Sequence, residues 1–305
     1  MGNFPAFHRW SEWNGKYRDD MRDYLKGGIS RTSAALQRIS GSPDIYDPKI
    51  RGTHASVNFL TCHDGFTLYD LYAYNQKHNE ANGWNNTDGA DDNRSWNCGA
   101  EGDTDDPDVL ALRMRMIRNA CAVLLCSRGT PMFFAGDEFC NTQFGNNNPY
   151  CQDNEISWLD WSLLEKHRDI FDFFRYMIRF RRSHPVLRGT AGKSCCGLPD
   201  ISFHAGEPWQ TPRDDGDGVS GILFAGHDAA EGRDDIVYLG INVHWEARTL
   251  TLPQLPGALR WHIAVNTGDA DHVFFGEPLP ALQGQTLLIG GRSVIVLTGR
   301  PVAGQ

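Results

Sequence analysis

Two patterns of apolar residues divide the chain at about residue 184. Before this point, apolar residues recur every three to four positions over long stretches, and short apolar runs of strand length lie between those stretches. The spacing predicts helices over residues 14–26, 106–126 and 163–182, and strands over residues 57–62 and 131–135. Because a strand precedes a helix twice along the chain, we expect a parallel sheet that is covered by helices.

Beyond residue 184 the apolar runs are short, rich in Val, Ile and Leu, and separated by clusters of Gly, Pro and Asp. These runs lie at residues 201–204, 221–225, 236–243, 249–252, 259–265, 286–289 and 293–297. Their spacing predicts an antiparallel β-sandwich. We therefore expect two domains, over residues 1–183 and 184–305. The order of elements leaves two architectures open for the first domain, a small α/β domain or the last quarter of a (β/α)8 barrel.

The composition excludes some classes of protein. The chain has 305 residues, of which 40% are hydrophobic, so it can bury a sizeable core. Its formal net charge is −9 and it has no basic run, which argues against nucleic acid or an anionic membrane as a partner. The apolar stretches are too short to span a bilayer and the amino terminus lacks a signal-peptide pattern, so we expect a soluble cytoplasmic protein.

The chemistry is concentrated in residues 57–104. An apolar run ends at His63 and Asp64, and a long loop rich in Asn, Gly, Asp and Trp follows. A strand that delivers an imidazole and a carboxylate to the mouth of a cleft has this pattern, and the aromatic rings of such a loop can pack on pyranose rings. A carbohydrate is therefore the leading substrate. The residues alone also allow a plainer interpretation, in which the pair is a helix cap with a hydrogen-bonded histidine.

Five side chains of the loop are candidate sugar contacts. Trp84 and Trp96 can stack on glucose rings, and Asn85, Arg94 and Asn97 can hydrogen-bond to sugar hydroxyls. The alternative for each is a solvated position in a polar surface loop.

A second pair of acidic residues, Asp137 and Glu138, follows the predicted strand 131–135. Neighbouring residues that leave a strand point to opposite sides, so we expect structural or cleft-edge roles for this pair rather than a catalytic one.

Three segments in order resemble the α-amylase superfamily (glycoside hydrolase family 13), and more narrowly its isoamylase-type glycogen-debranching enzymes. The segments are NFLTCHDGFTLYDLYAYNQKHNEANGWNN at 58–86, DNRSWNCGAEGDT at 92–104 and GTPMFFAGDEFCNTQFGNNNPYCQDNEISWLDW at 129–161. With the β-rich tail, the resemblance extends over nearly the whole chain. It implies an α/β fold consisting of a partial (β/α)8 TIM barrel, with the later strands and helices only, followed by an antiparallel β-sandwich domain.

The resemblance also implies roles for the His-Asp pair. The strand over 57–62 would be the seventh of the barrel, and the segment GTPMFFAGDE would supply the eighth. Asp64 would be the acid that stabilises the positively charged transition state, and His63 would hydrogen-bond the same sugar ring. The implied substrate is a branched α-glucan, glycogen or a limit dextrin, cleaved at α-1,6 branch linkages with retention.

The other two acids of that mechanism are not found ahead of Val57. In the family, the nucleophilic Asp and the acid/base Glu come from the fourth and fifth strands, which precede the His-Asp strand, and the chain shows neither signature. We therefore expect this chain to be a carboxyl-terminal part that is inactive alone and exposes an apolar flank. A fragment, a pseudogene product and one half of a split enzyme, with the missing N-terminal half as its partner, all remain open. A non-catalytic glucan-binding protein is the alternative function.

No cofactor and no bound metal are predicted. The chain has no G-x-G-x-x-G after a strand and no P-loop, and the acidic segment 85–93 lacks the spacing of an EF-hand. Its eight cysteines include the adjacent Cys195 and Cys196 but no C-x-x-C pair, so a zinc ribbon is not expected either.

Overall fold

The computed structural model describes residues 1–2, 10–52 and 54–301 of the chain. The helices in this part of the chain are α1 (Gly15–Leu25), α2 (Thr32–Ile39), α3 (Pro48–Arg51), α4 (Leu68–Leu71), α5 (Pro107–Cys126), α6 (Leu163–Lys166), α7 (Arg168–Ser183) and α8 (Pro185–Arg188). The strands are β1 (Glu12–Trp13), β2 (Ser56–Asn58), β3 (Thr130–Pro131), β4 (Ile201–His204), β5 (Val219–Asp228), β6 (Arg233–Asn242), β7 (Arg248–Thr251), β8 (Leu259–Asn266), β9 (Thr286–Ile289) and β10 (Ser293–Pro301). None of the helices in the described ranges combines the length and the apolarity that crossing a bilayer requires.

The first three strands form a small parallel sheet in chain order. Glu12 pairs with Ser56, and Asn58 pairs with Pro131, so β2 lies between β1 and β3. Helices separate consecutive strands, as parallel strands require, because a chain must cross over the sheet before it can run in the same direction again. The predicted parallel sheet is therefore confirmed.

The strand limits of this sheet differ from the prediction. The strand expected at 57–62 spans only Ser56–Asn58, the one expected at 131–135 spans Thr130–Pro131, and β1 was not predicted. Beyond Asn58 the chain bonds to side chains instead of a neighbouring strand: Arg22 donates to the Leu60 carbonyl and the Thr61 hydroxyl donates to Asp137. Strand β1 consists of one acidic residue and one exposed tryptophan, which form no apolar run.

Two of the predicted long helices are confirmed, and the third is divided. Helix α5 begins as expected, with the Asp106 carboxylate accepting from the N–H of Asp108 at 2.9 Å and Pro107 in the first turn. The helix expected over 163–182 is interrupted at His167, whose ψ of 38° is not helical, so α6 and α7 are separate.

The carboxyl-terminal half contains a five-stranded antiparallel sheet in the order β4-β5-β6-β10-β8 and a two-stranded antiparallel sheet of β7 and β9. Each of the seven predicted apolar runs overlaps one strand, and the runs at 236–243 and 249–252 extend one residue past β6 and β7. Both faces of the larger sheet are covered: Ile222 and Phe224 pack in one core with the helices, and Leu223 and Ala225 pack in a second core with β7 and β9. This explains why β5 and β6 have continuous apolar runs instead of alternating ones.

Contacts from α5 and its preceding loop connect the two halves. The Asn119 side chain on α5 donates to the Arg292 carbonyl at 2.9 Å and accepts from the Thr267 hydroxyl at 2.5 Å. The Arg292 guanidinium lies 4.7 Å from the centre of the Trp96 ring. One apolar core thus extends from the parallel sheet into the antiparallel one. The division into domains at residue 184 remains a prediction.

Arg181 on α7 binds the short segment that connects α5 to β3. Its buried guanidinium donates to the carbonyls of Leu125 and Ser127 at 2.8 and 2.7 Å, and to that of Gly129 at 2.6 Å. Leu125 lies in the last turn of α5, where backbone carbonyls have no helical partner. A single cation therefore caps α5 and fixes the turn that leads into β3.

Replacing Arg181 with Met is expected to lower the free energy of unfolding by about 1.5–3 kcal/mol, because buried carbonyls lose a charged donor. Urea unfolding followed by tryptophan fluorescence measures the change. Arg182→Met is the matched control, because Arg182 is exposed and the substitution is the same. Equal losses in the two variants would contradict this role for Arg181.

Candidate active site

His63 and Asp64 lie just beyond β2, at the edge of the parallel sheet where β1 also ends. Both side chains are exposed. The His63 ring makes an edge-on contact with Trp13, whose centre is 5.9 Å away. Among the described residues, no hydrogen bond or ion pair reaches the Asp64 carboxylate; its backbone carbonyl accepts a hydrogen bond from the Cys62 thiol at 3.4 Å. The site thus offers solvent a carboxylate and an imidazole at the carboxyl ends of parallel strands, where active sites of α/β proteins form.

Asp137 holds the segment that carries this pair. Its buried carboxylate accepts from the Thr61 hydroxyl, from the N–H of Leu68 at 2.8 Å and from the N–H of Phe134 at 3.0 Å. The chains that follow β2 and β3 are therefore bridged on both sides of Asp64. Burial raises the pKa of Asp137 to about 7, although its three donors act in the opposite direction. Its neighbour Glu138 makes a local bond to the N–H of Gly136 at 2.9 Å.

Two of the five predicted sugar contacts present open side chains. Trp84 is 59% exposed and Asn85 is exposed, and within the described part of the chain neither side chain makes a hydrogen bond. Both lie in the loop that follows β2 and α4. These two positions remain predictions as sugar contacts.

The structure gives the other three predicted contacts internal partners. Arg94 forms an ion pair with Asp23 on α1. Trp96 is covered by the guanidinium of Arg292. The amide of Asn97 donates to Glu101 at 3.0 Å. Arg94 and Trp96 thus connect the loop to other parts of the fold, and Asn97 bonds within the loop. Sugar binding by the three residues remains a prediction.

A buried network of asparagines, which the sequence did not predict, joins the loop after β2 to the loop after β3. Asn79 and Asn147 exchange two hydrogen bonds, of 2.8 and 2.9 Å, and Asn147 also donates to Asn93 at 2.8 Å. Nearby, Asn82 donates to the Asn148 carbonyl at 2.9 Å. An amide can donate and accept at once, which allows such reciprocal pairs to satisfy buried polar groups without a charge.

The loop after β3 adds exposed aromatic side chains to the same edge of the molecule. The members of this group are Phe144, Tyr150, Trp158 and Trp161. Sequence reasoning missed them, although GNNNPYCQDN at residues 145–154 has the same mixture of Asn and aromatic residues as the loop after β2. The two loops, called the rim below, are joined next to Asp64, where the Gln143 side chain donates to the Gly65 carbonyl at 3.3 Å.

Curated relatives match nearly the whole chain. None of the protein-family models matches it. The chain is 42% identical over 321 residues to the glycogen operon protein GlgX homolog of Mycobacterium tuberculosis H37Rv, covering 97% of this chain and 43% of that protein. It is 40% identical over 303 residues to the chloroplastic isoamylase 3 of Oryza sativa subsp. japonica, covering 99% of this chain and 37% of that protein. The chain thus spans less than half the length of the relatives it matches.

Solved pullulanase structures share the fold. The type I pullulanase of Bacillus subtilis str. 168 superposes with a TM-score of 0.64 at 18% identity, covering 94% of this chain and 35% of that one. A pullulanase of Paenibacillus barengoltzii superposes with a TM-score of 0.61 at 25% identity, covering 96% of this chain and 39% of that one.

The asparagine network generates a prediction about the rim. Asn147→Ala removes two donors and an acceptor from buried partners, so it is expected to destabilise the chain by about 1–3 kcal/mol and to speed trypsin cleavage after Arg94. Asn85→Gly is the control, because Asn85 is exposed in the same loop and its φ of 51° is one that glycine adopts without strain, and it is expected to change neither quantity. Equal cleavage rates in the two variants would show that the network does not hold the loop.

Asp137 generates a prediction about pH. Between its ordinary pKa of 3.8 and its folded pKa of about 7, the folded state keeps a proton that the unfolded state releases, so the contribution of Asp137 to stability falls as pH rises. The stability deficit of Asp137→Asn relative to the unsubstituted chain is therefore expected to shrink from pH 5 to pH 8 in urea titrations. A deficit that stays constant over this range would mean that Asp137 is ionised in the folded chain as well.

Proposed function

The chain belongs to the GlgX and isoamylase group of debranching glycoside hydrolases in the α-amylase superfamily, and we propose that it forms the carboxyl-terminal part of an enzyme that cleaves α-1,6 branch linkages of glycogen-like glucans. Its three-stranded parallel sheet would then be the last segment of a (β/α)8 barrel, with β2 as the strand that presents His63 and Asp64. The pullulanase structures named above are complexes with maltose, or with maltohexaose and α-cyclodextrin, which supports an α-glucan as the ligand.

The single observation that carries the proposal is the open carboxylate of Asp64. Glycoside cleavage passes through an oxocarbenium-like transition state, and a fixed negative charge beside the ring stabilises that state more than the ground state. Asp64 has no cation among the described residues to neutralise it, so its field acts on whatever occupies the space beside it. His63, held edge-on by Trp13, is placed to donate to a hydroxyl of the same ring.

The exposed rings of the two loops provide the binding surface. Trp84 follows β2, and Tyr150, Trp158 and Trp161 follow β3, so aromatic faces lie in both loops that flank the proposed site. Pyranose rings present apolar C–H faces that pack on such rings, while the neighbouring amides bond hydroxyls. This arrangement suits an extended glucan more than a small monosaccharide.

The 305-residue chain is proposed to be inactive by itself. A retaining glycosidase needs a nucleophile and an acid/base about 5–5.5 Å apart, and neither family signature precedes Val57. In the described part of the chain, β1 and β3 each pair on one side only, and Trp13 on β1 is half exposed. We propose that these open edges receive the strands that carry the missing acids.

Activity on glycogen tests the proposal. The purified chain alone is expected to release no reducing ends. A chimera in which the preceding segment of the Mycobacterium tuberculosis GlgX homolog is joined to this chain is expected to release them. Asp64→Asn in the chimera is expected to lower kcat by roughly 10²–10³-fold.

The control in the chimera is Asp271→Asn, which changes an exposed carboxylate far along the chain and is expected to leave kcat unaltered. Release of reducing ends by the isolated chain, abolished by Asp64→Ala, would overturn the proposed inactivity. A folded chimera that is inactive with Asp64 intact would overturn the proposed hydrolase role.

A non-catalytic glucan-binding protein is the second candidate, and the exposed aromatic rim beside a site without its two other acids favours it. That function predicts that the isolated chain binds glycogen and that Trp84→Ala weakens the binding. Affinity electrophoresis in gels that contain glycogen distinguishes it: binding without turnover in both the chain and the chimera would favour this candidate.

A further inference from the structure

A cysteine, a histidine and an aspartate converge where β5 ends and β6 begins in the five-stranded sheet, far along the chain from His63 and Asp64. His227 on β5 and Asp234 on β6 are directly opposite in the antiparallel register. The backbone of His227 also exchanges two hydrogen bonds with Gly192, both of 2.9 Å, which fixes the segment leading to Cys195 beside β5. The three side chains are therefore brought together by strand pairing rather than by sequence proximity.

The donor atoms of this cluster are spaced as ligands of one ion. The Cys195 Sγ lies 3.5 Å from the His227 Nδ1, which in turn lies 3.3 Å from the Asp234 Oδ1, and all three atoms are within 4.8 Å of one another. In tetrahedral zinc sites, bond lengths near 2.3 Å for sulfur and 2.0–2.2 Å for nitrogen and oxygen put a sulfur and a nitrogen about 3.6 Å apart, and a nitrogen and an oxygen about 3.4 Å apart.

Backbone N–H groups next to the cluster orient the Asp234 carboxylate toward His227. The N–H groups of Cys195 and Cys196 donate to the two oxygens of Asp234, at 3.0 and 2.7 Å. The arrangement differs from a nucleophilic triad, because the thiol and the carboxylate approach the same ring nitrogen and not opposite ones. One carboxylate oxygen and one thiol sulfur thus lie close to a single imidazole nitrogen, and a cation bound between them would contact all three atoms.

We propose that Cys195, His227 and Asp234 form a Zn²⁺ site, with water completing the coordination. On binding, the Cys195 thiol loses its proton to solvent, and the thiolate and the carboxylate together balance the charge of the ion. A thiolate and an imidazole favour zinc over magnesium or calcium, which prefer oxygen ligands. The site is independent of the proposed glucan chemistry, and it was not among the predictions from the sequence.

Cys196 follows Cys195 in the chain, and its sulfur is not one of the proposed ligands. Its backbone N–H donates to the second Asp234 oxygen at 2.7 Å, so Cys196 contributes to the site by orienting the carboxylate. Cys195 is exposed, and its thiol faces the imidazole.

Metal titration of the reduced 305-residue chain tests the site. Isothermal titration with Zn²⁺ is expected to give one equivalent, and Co²⁺ is expected to produce a thiolate-to-metal absorption band. Cys195→Ser and His227→Gln are each expected to weaken Zn²⁺ binding by more than about tenfold and to remove the band. Circular dichroism and the unmodified Tm of the metal-free variants show that they are folded.

Two control variants make the result specific. Cys151→Ser removes an exposed thiol elsewhere and is expected to keep both the stoichiometry and the band. Cys196→Ser is expected to keep them as well. Absence of Zn²⁺ binding by the folded chain, or binding that survives His227→Gln but is lost with Cys196→Ser, would overturn the proposed ligand set.

Discussion

Hydrogen bonds from buried polar side chains to the backbone hold the candidate site in place. The strands of the parallel sheet are only two or three residues long, so ladder hydrogen bonds end well before His63 and Asp64. Beyond the strands, Arg22 on α1 donates a hydrogen bond to the Leu60 carbonyl, and the Asp137 carboxylate accepts hydrogen bonds from Thr61 and Leu68. Each of these bonds is buried, where water cannot replace it, and a lost partner there is costly. The position of an exposed carboxylate thus depends on polar groups that solvent does not reach.

Two aspartates at the same edge of the sheet show how environment separates roles. Asp64 is exposed and has no described side-chain partner, so its carboxylate is open to a ligand. Asp137 is buried, and burial raises its pKa to about 7, which suits a group that holds loops together instead of one that presents a field to a substrate. The loops that Asp137 and the asparagine pair secure are the ones that present the exposed tryptophans.

Periodicity in the sequence predicted the elements that bury an apolar face. Helices α1 and α5 and all seven strands of the carboxyl-terminal half belong to this class. Periodicity did not predict β1, whose two residues are stabilised by pairing with a distant strand. It also placed the end of β2 too late, because side chains from α1 and from the turn after β3 bond to the chain there in place of a neighbouring strand. Such partners are set by tertiary structure, which a local pattern does not contain.

The sequence could indicate residues of the candidate site only where the residue type and its position after a strand suggest a chemical role. His63 and Asp64 are recognisable by their position after an apolar run. Arg94 and Trp96 share the composition of the loop with Trp84, and their partners, Asp23 and Arg292, are 71 and almost 200 residues away. The cluster of Cys195 with His227 and Asp234 was invisible for the same reason, since its members become neighbours only through the register of β5 and β6.

The five-stranded sheet has apolar side chains on both faces, and one face belongs to the core that includes the helices. Separating this sheet from the helices would therefore expose apolar side chains to water. Recombination that transferred it to another protein would uncover Ile222, Phe224 and their neighbours unless α5 and α7 moved with it. Gene fusions and exchanges in this lineage should then preserve the helices and the sheet as one inherited block.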